Sequence, residues 1–142
     1  MPYQIVVDTN VLVAALRSRR GASFRLLSLI GTDERFEINL SIPLVLEYED
    51  VLKRPSLVTD LSVEDVDRII DYVCSVGHHC PIFFLWRPFL PDPQDDMVLE
   101  LAVEAQCQYI VSHNKRDFLR VDQFGVAVVS PREFLERIGE IP

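Results

Sequence analysis

Short apolar runs rich in β-branched residues alternate with longer stretches of helical period along this chain. That alternation is the tightest constraint on its fold. Ile5-Val6-Val7 stops at Asp8, as a buried strand does. Phe36 to Leu40, Tyr109 to Ser112 and Val126 to Val129 read the same way, and His79 to Leu85 holds a weaker candidate at Ile82-Phe83-Phe84. Helical segments separate them. They are Val11 to Leu16; Ala22 to Ile30, closed by Gly31; and a helix capped by Ser41 and stopped by Pro55. Then come a helix opened by Ser62 and Asp65 that carries Val66, Ile69, Ile70 and Val73, a helix from Asp95 to Gln106, and a last one behind Ser130-Pro131. Strands joined by helical crossovers pair in parallel. The expectation is an α/β fold in a single domain over 1–142, with a central, mainly parallel, twisted sheet of about five strands flanked by helices.

Composition removes other architectures. Hydrophobic residues make up 49% and charged residues 25% of 142, enough for one full core. The longest apolar runs are strand-sized, so no transmembrane helix is expected. Met1-Pro2-Tyr3-Gln4 has neither the basic stretch nor the apolar run of a signal peptide. Cys74, Cys80 and Cys107 are odd in number and lack a Cys-x-x-Cys pair, which suits a reducing cytoplasm and not a disulfide framework. The net charge of −8 argues against wrapping duplex DNA. The charge is uneven, however. Arg17, Arg19, Arg20 and Arg25 face only Asp8 in residues 1–31, and the acidic excess lies beyond them. A basic loop beside an acidic pocket is compatible with a short, locally held strand of nucleic acid.

In an open parallel sheet, ligands bind at the carboxyl ends of the strands. The informative acids are therefore those just after strands or at helix N-termini. Asp8 closes the first strand; it is either a helix cap, with Asn10 helping, or a group held for a cation. Glu47 shares the apolar stripe of Leu44, Tyr48, Val51 and Leu52, so it faces inward and needs a cation, either an arginine or a metal. Asp92, Asp95 and Asp96 crowd one helix start, more acids than a cap requires, and spacing alone does not separate Asp95 from Asp96. After the fourth strand, Ser112, Asn114 and Asp117 can project from the same edge, or form an ordinary Asx turn. Clustered carboxylates coexist around a hard cation such as Mg²⁺ or Mn²⁺, which activates water for phosphodiester hydrolysis.

Four segments carry a resemblance. Val6-Val7-Asp8-Thr9-Asn10, Ser41-Ile42-Pro43-Leu44-Val45-Leu46-Glu47, Asp92-Pro93-Gln94-Asp95 through Ala102, and Ile110-Val111-Ser112-His113-Asn114 through Asp117-Phe118 resemble, in order, the motifs of PIN-domain ribonucleases. The most similar subgroup is the PIN-type toxins of prokaryotic toxin–antitoxin pairs. The resemblance implies a PIN-like three-layer fold and metal-dependent cleavage of RNA with Mg²⁺ or Mn²⁺. It makes Asp8, Glu47 and Asp95 the metal-holding acids, since Ala102 follows Asp95 by the family's spacing, and Asp117 a further acid of the site. It also implies a cognate antitoxin and a homodimer. Many relatives have Asp where Asn114 stands; others pair Asn there with the acid of the following Asp-Phe, as Asp117-Phe118 does. Asn10, Ser112 and Asn114 are expected to support the carboxylates; Arg17, Arg19 and Arg20, with Lys115, are candidates to contact RNA, and the arginine loop reads equally well as a solvated basic turn.

Competing readings fit less well. A haloacid-dehalogenase-like phosphatase needs a second Asp where Asn10 stands, and a receiver domain needs a lysine that Lys115 does not supply in register. A catalytically inactive PIN-fold module that binds RNA or a protein is the other alternative; the presence of all the leading acids argues against it. His78-His79-Cys80 has no second ligand pair at zinc spacing and reads as structural. Phe83, Phe84 and Trp86 read as core, and His113 as a solvent-facing loop residue. The helices at 22–30 and 43–54 are expected to expose Leu, Val and Tyr to a second copy.

Overall fold

The structure, a computed structural model, describes residues 1–55, 60–82 and 89–142. Five strands form one sheet: β1 (Tyr3–Val7), β2 (Phe36–Leu40), β3 (His78–His79), β4 (Tyr109–Val111) and β5 (Ala127–Val129). Their order is β3-β2-β1-β4-β5 and every pairing is parallel. Six helices connect them: α1 (Thr9–Arg17), α2 (Ala22–Leu29), α3 (Ile42–Leu52), α4 (Val63–Val76), α5 (Pro93–Glu104) and α6 (Pro131–Arg137).

β1 is central because it is apolar on both faces. Ile5, Val6 and Val7 are all buried, as a strand covered by helices on either side must be. From β1 the chain moves outward through β2 to β3, then returns to place β4 on the opposite flank of β1. The sheet therefore switches direction between β1 and β4. At that point the connections leave in opposite directions and open a crevice at the carboxyl edge. Asp8 N–H donates to Val111 O at 2.9 Å, so the two strands remain joined up to the lip of that crevice.

The helix starts follow local chemistry. Ser62 and Asp65 form a reciprocal capping box, as do Ser130 and Glu133, and proline occupies the first turn of α3, α5 and α6. Gly31 ends the α2 connection at φ +85°, where an added Cβ would stand 2.5 Å from the Tyr72 hydroxyl and 2.8 Å from Val76 Cγ1. On one face of the sheet, Phe134 of α6 packs edge-to-face against Tyr3, Phe36 and Tyr109. Glu140 then fastens the C-terminal segment by pairing with Arg25 and Arg35.

Several expectations need adjustment. β3 is the pair His78–His79, an exposed edge strand. The strand expected at Ile82-Phe83-Phe84 and the core roles of Phe83, Phe84 and Trp86 fall mainly on 83–88, outside the described residues. The polar connection after β4 contains a 3₁₀ turn at Lys115–Phe118, and a second one forms at Val121–Phe124. Tyr48 does not face a partner: it is fully buried, and its hydroxyl donates to Val7 O. On α3 the exposed apolar side chains are Ile42 and Leu46. No helix of the described residues is long and apolar enough to cross a membrane.

Candidate active site

Asp8 follows β1 directly, and its two oxygens do different things. Oδ1 accepts the Thr9 N–H at 2.9 Å, which caps α1. Oδ2 accepts from Ser112 Oγ at 2.8 Å and from Asn10 Nδ2 at 3.3 Å. One oxygen is thus used as the helix cap, and the other is held by Ser112 and Asn10. Asn10 Nδ2 also reaches Ser112 Oγ at 3.2 Å, and Ser112 is wholly buried. The result is a rigid link between the ends of β1 and β4. Asn114 joins it through its backbone, donating N–H to Ser112 Oγ at 3.1 Å. Its side chain, expected to support a carboxylate, makes no hydrogen bond to one among the described residues.

Glu47 comes from the second turn of α3. It faces α1, where Thr9 Oγ1 donates to its Oε2. No arginine or lysine pairs with it among the described residues, so the simple ion-pair explanation for an inward Glu fails there.

At the start of α5 the structure separates three acids that spacing could not. Asp92 is the N-cap and accepts Gln94 N–H at 2.9 Å. Asp96 is buried, and its Oδ1 accepts the backbone N–H groups of Phe89 and Leu90 at 3.1 and 2.8 Å. Through that oxygen it pins the incoming segment. Asp95, partly buried, is left facing the crevice. Burial first, and then the charges of Asp8, Asp117, Asp92 and Glu47, push its carboxyl up to about 7. Burial also raises Asp8; Ser112 and Thr9 hydrogen bonds oppose the rise, and Glu47 and Asp117 add to it. Asp117 reaches the cluster from the 3₁₀ turn after β4. Four chain regions thus deliver Asp8, Glu47, Asp95 and Asp117 to one edge of the sheet, close enough for their charges to disfavour ionisation of Asp8 and Asp95.

The donor set is all hard oxygen, unpaired with any Lys or Arg among the described residues, which is the chemistry of a divalent cation such as Mg²⁺ or Mn²⁺. Among those residues no three acidic, His or Cys side chains are already drawn together tightly enough to enclose an ion.

The raised carboxyl of Asp95 has a measurable consequence. An acid with a higher pKa in the folded state binds its proton more tightly there than when unfolded. Its contribution is favourable at low pH and is lost as pH rises from about 4 to about 7. Asp95→Asn is expected to flatten that part of the stability–pH curve and to raise Tm at pH 8 by about 2–4 °C, roughly 1 kcal/mol after solvent screening. Urea or thermal unfolding of both proteins between pH 4 and 8 without divalent ions measures it; parallel curves would show that Asp95 is not coupled to the cluster.

The basic candidates separate. Lys115 pairs with Glu133 at the start of α6. Arg17 at the end of α1 and Arg19 and Arg20 on the turn to α2 are exposed and pair with no acid among the described residues; Arg17 and Arg19 line a groove with Phe24, Leu61 and Asp60. His78 contacts Glu37 at 2.8 Å and His79 the Cys74 carbonyl at 2.8 Å, in keeping with structural roles on an edge strand. His113 is exposed, as expected, but its ring Nε2 lies 2.8 Å from the buried Ser23 Oγ. Sequence reasoning missed this tether, because ninety positions separate the two residues and no local pattern joins them.

A family model described as PIN domain matches residues 4–116. Among solved structures, the fold is similar to a chain in the crystal structure of VapBC2 from Rickettsia felis bound to a DNA fragment from their promoter. The TM-score is 0.58 at 14% identity, with 89% of this chain and 98% of that chain covered. No curated protein matches the chain.

Proposed function

The chain belongs to the PIN-domain family, and from that premise we propose that it is a metal-dependent endoribonuclease that hydrolyses RNA phosphodiester bonds. One observation carries the reading: Asp8, Glu47, Asp95 and Asp117 converge from four segments on the crevice between β1 and β4, with no basic partner among the described residues.

In this reading Asp8 and Asp95 hold Mg²⁺ or Mn²⁺, and Glu47 completes the pocket. When bound, the cation lowers the pKa of water and screens charge developing on the phosphate. Ser112 and Asn10 keep Asp8 Oδ2 aimed into the crevice, and Thr9 does the same for Glu47. Asp117 would orient the attacking water or hold a second ion. Asn10 and Asn114 are amides and take no proton.

The family resemblance and the fold similarity support a toxin of a toxin–antitoxin pair, acting in the cytoplasm and blocked by a small antitoxin that covers the acidic pocket. A homodimer through the exposed Ile42 and Leu46 of α3 accompanies it; sedimentation giving only a 16.3 kDa species at micromolar concentration would argue against that dimer.

The test is incubation of pure protein with total RNA and Mn²⁺ or Mg²⁺, with and without EDTA, followed by mapping of new ends. Metal-dependent ends that vanish with EDTA are expected. Cleavage unchanged by EDTA removes the metal from the mechanism. RNA left intact with every metal favours the non-catalytic binding module.

A further inference from the structure

A pocket of four carboxylates repels the polyanion it is proposed to cut, so the substrate strand must be held by positive or hydrogen-bonding groups beside the pocket. Two sides offer them. On one, Lys115 has its ammonium engaged by Glu133. On the other, the end of α1 and the turn to α2 present Arg17, Arg19 and Arg20, exposed and paired with no acid among the described residues.

His113 connects that second side to the pocket. Its backbone N–H donates to Asn10 Oδ1 at 3.2 Å, and the same Asn10 amide donates through Nδ2 to Asp8 Oδ2. His113 is thus one side chain away from the carboxylate at the centre of the site. Its ring points the other way, to Ser23 Oγ at 2.8 Å in the first turn of α2, three positions after Arg20. Ser23 is 4% exposed. A surface imidazole is ordinarily free to sample several rotamers; here a buried hydroxyl holds one of its nitrogens. The other nitrogen has no hydrogen-bond partner among the described residues and can meet a ligand.

Resting on the nuclease reading, we propose that single-stranded RNA leaves the acidic pocket over His113 toward Arg19 and Arg20, with the imidazole hydrogen-bonding a backbone phosphate next to the scissile one. Ser23 is a positioning residue that orients this ring. Lys115 lies off the track.

The probe is a fluorescently labelled single-stranded RNA of about ten nucleotides with full-length protein and Mn²⁺. Cleavage gives kcat and KM, and anisotropy in the Asp8→Asn background gives Kd. His113→Ala is expected to raise KM and Kd about 5–10-fold with kcat within about 2-fold. Ser23→Ala should give a smaller rise of the same kind. Arg19→Gln with Arg20→Gln should raise Kd similarly and flatten the dependence of log Kd on log salt, since each lost phosphate contact lowers that slope by roughly 0.7 for a single strand. Arg68→Gln, on the solvent face of α4, should leave all values within about 2-fold. Unchanged KM and Kd in His113→Ala overturns the track, as does a larger effect from Lys115→Gln than from the Arg19/Arg20 pair. A wild-type protein that binds this RNA without cutting it defeats the nuclease reading alone, and the anisotropy series still decides the track.

Discussion

Asp8→Asn is expected to lower metal-dependent RNA cleavage by about 10²–10³-fold or more, the scale on which a preorganised charged group acts at a reaction centre, while leaving the protein folded. The two halves follow from the two oxygens. Asn is as good an N-cap as Asp, so the bond to Thr9 N–H and the start of α1 survive. The other position loses its charge. That charge is costly without a cation, since burial, Glu47 and Asp117 all disfavour the ionised form. Its removal offsets the disturbed bonds to Ser112 and Asn10, and the melting temperature without metal should be unchanged or higher. Added Mn²⁺ should then raise Tm in the wild type and not in the variant, because an ion that binds only the folded protein stabilises it by mass action. The measurements are cleavage rates and thermal melts of the two proteins at equal metal concentrations. Equal cleavage by both would point to a contaminating nuclease and remove Asp8 from the reaction. Melting of the variant well below the wild type would make Asp8 a structural residue first.

Phe134→Ala should have the largest effect on stability. Phe134 is completely buried and stands edge-to-face with Tyr3, Phe36 and Tyr109, at centroid distances of 6.3, 5.3 and 5.8 Å. These partners come from the three central strands β1, β2 and β4, so one side chain attaches α6 across the middle of the sheet. Truncating such a residue costs about 3–5 kcal/mol, from lost burial and from a cavity the rigid sheet cannot close. For a domain of this size that is on the order of 10–15 °C in Tm. The site lies at the carboxyl ends of the strands and does not touch Phe134, so Phe134→Leu, which restores most of the volume, should recover most of the stability. A loss below about 1 kcal/mol in Phe134→Ala by urea unfolding would mean that α6 docks chiefly through its ion pairs at Glu140.

What the sequence determined by itself is what depends on neighbours in the chain. Apolar periodicity placed the strands at 5–7 and 36–40 and the long helices, and Ser62, Ser130 and the prolines marked their starts, because capping and backbone preference act within four residues. The acidic motifs were legible for the same reason: Asp8, Asp95 and Asp117 follow a strand or open a helix, and Glu47 interrupts the apolar stripe of α3. Tertiary structure decided everything that requires two distant segments to meet. It put β4 beside β1 and so opened the crevice at Asp8 and Ser112. It committed Asp96 to the backbone of Phe89 and Leu90 and left Asp95 facing the cluster, two adjacent residues whose helical positions differ by a single step. It buried Tyr48 under Val7, paired Lys115 with Glu133, and tied His113 to Ser23. Residue type and spacing establish which groups are available for chemistry. Their burial and partners arise only from packing, and those set the charge each group keeps.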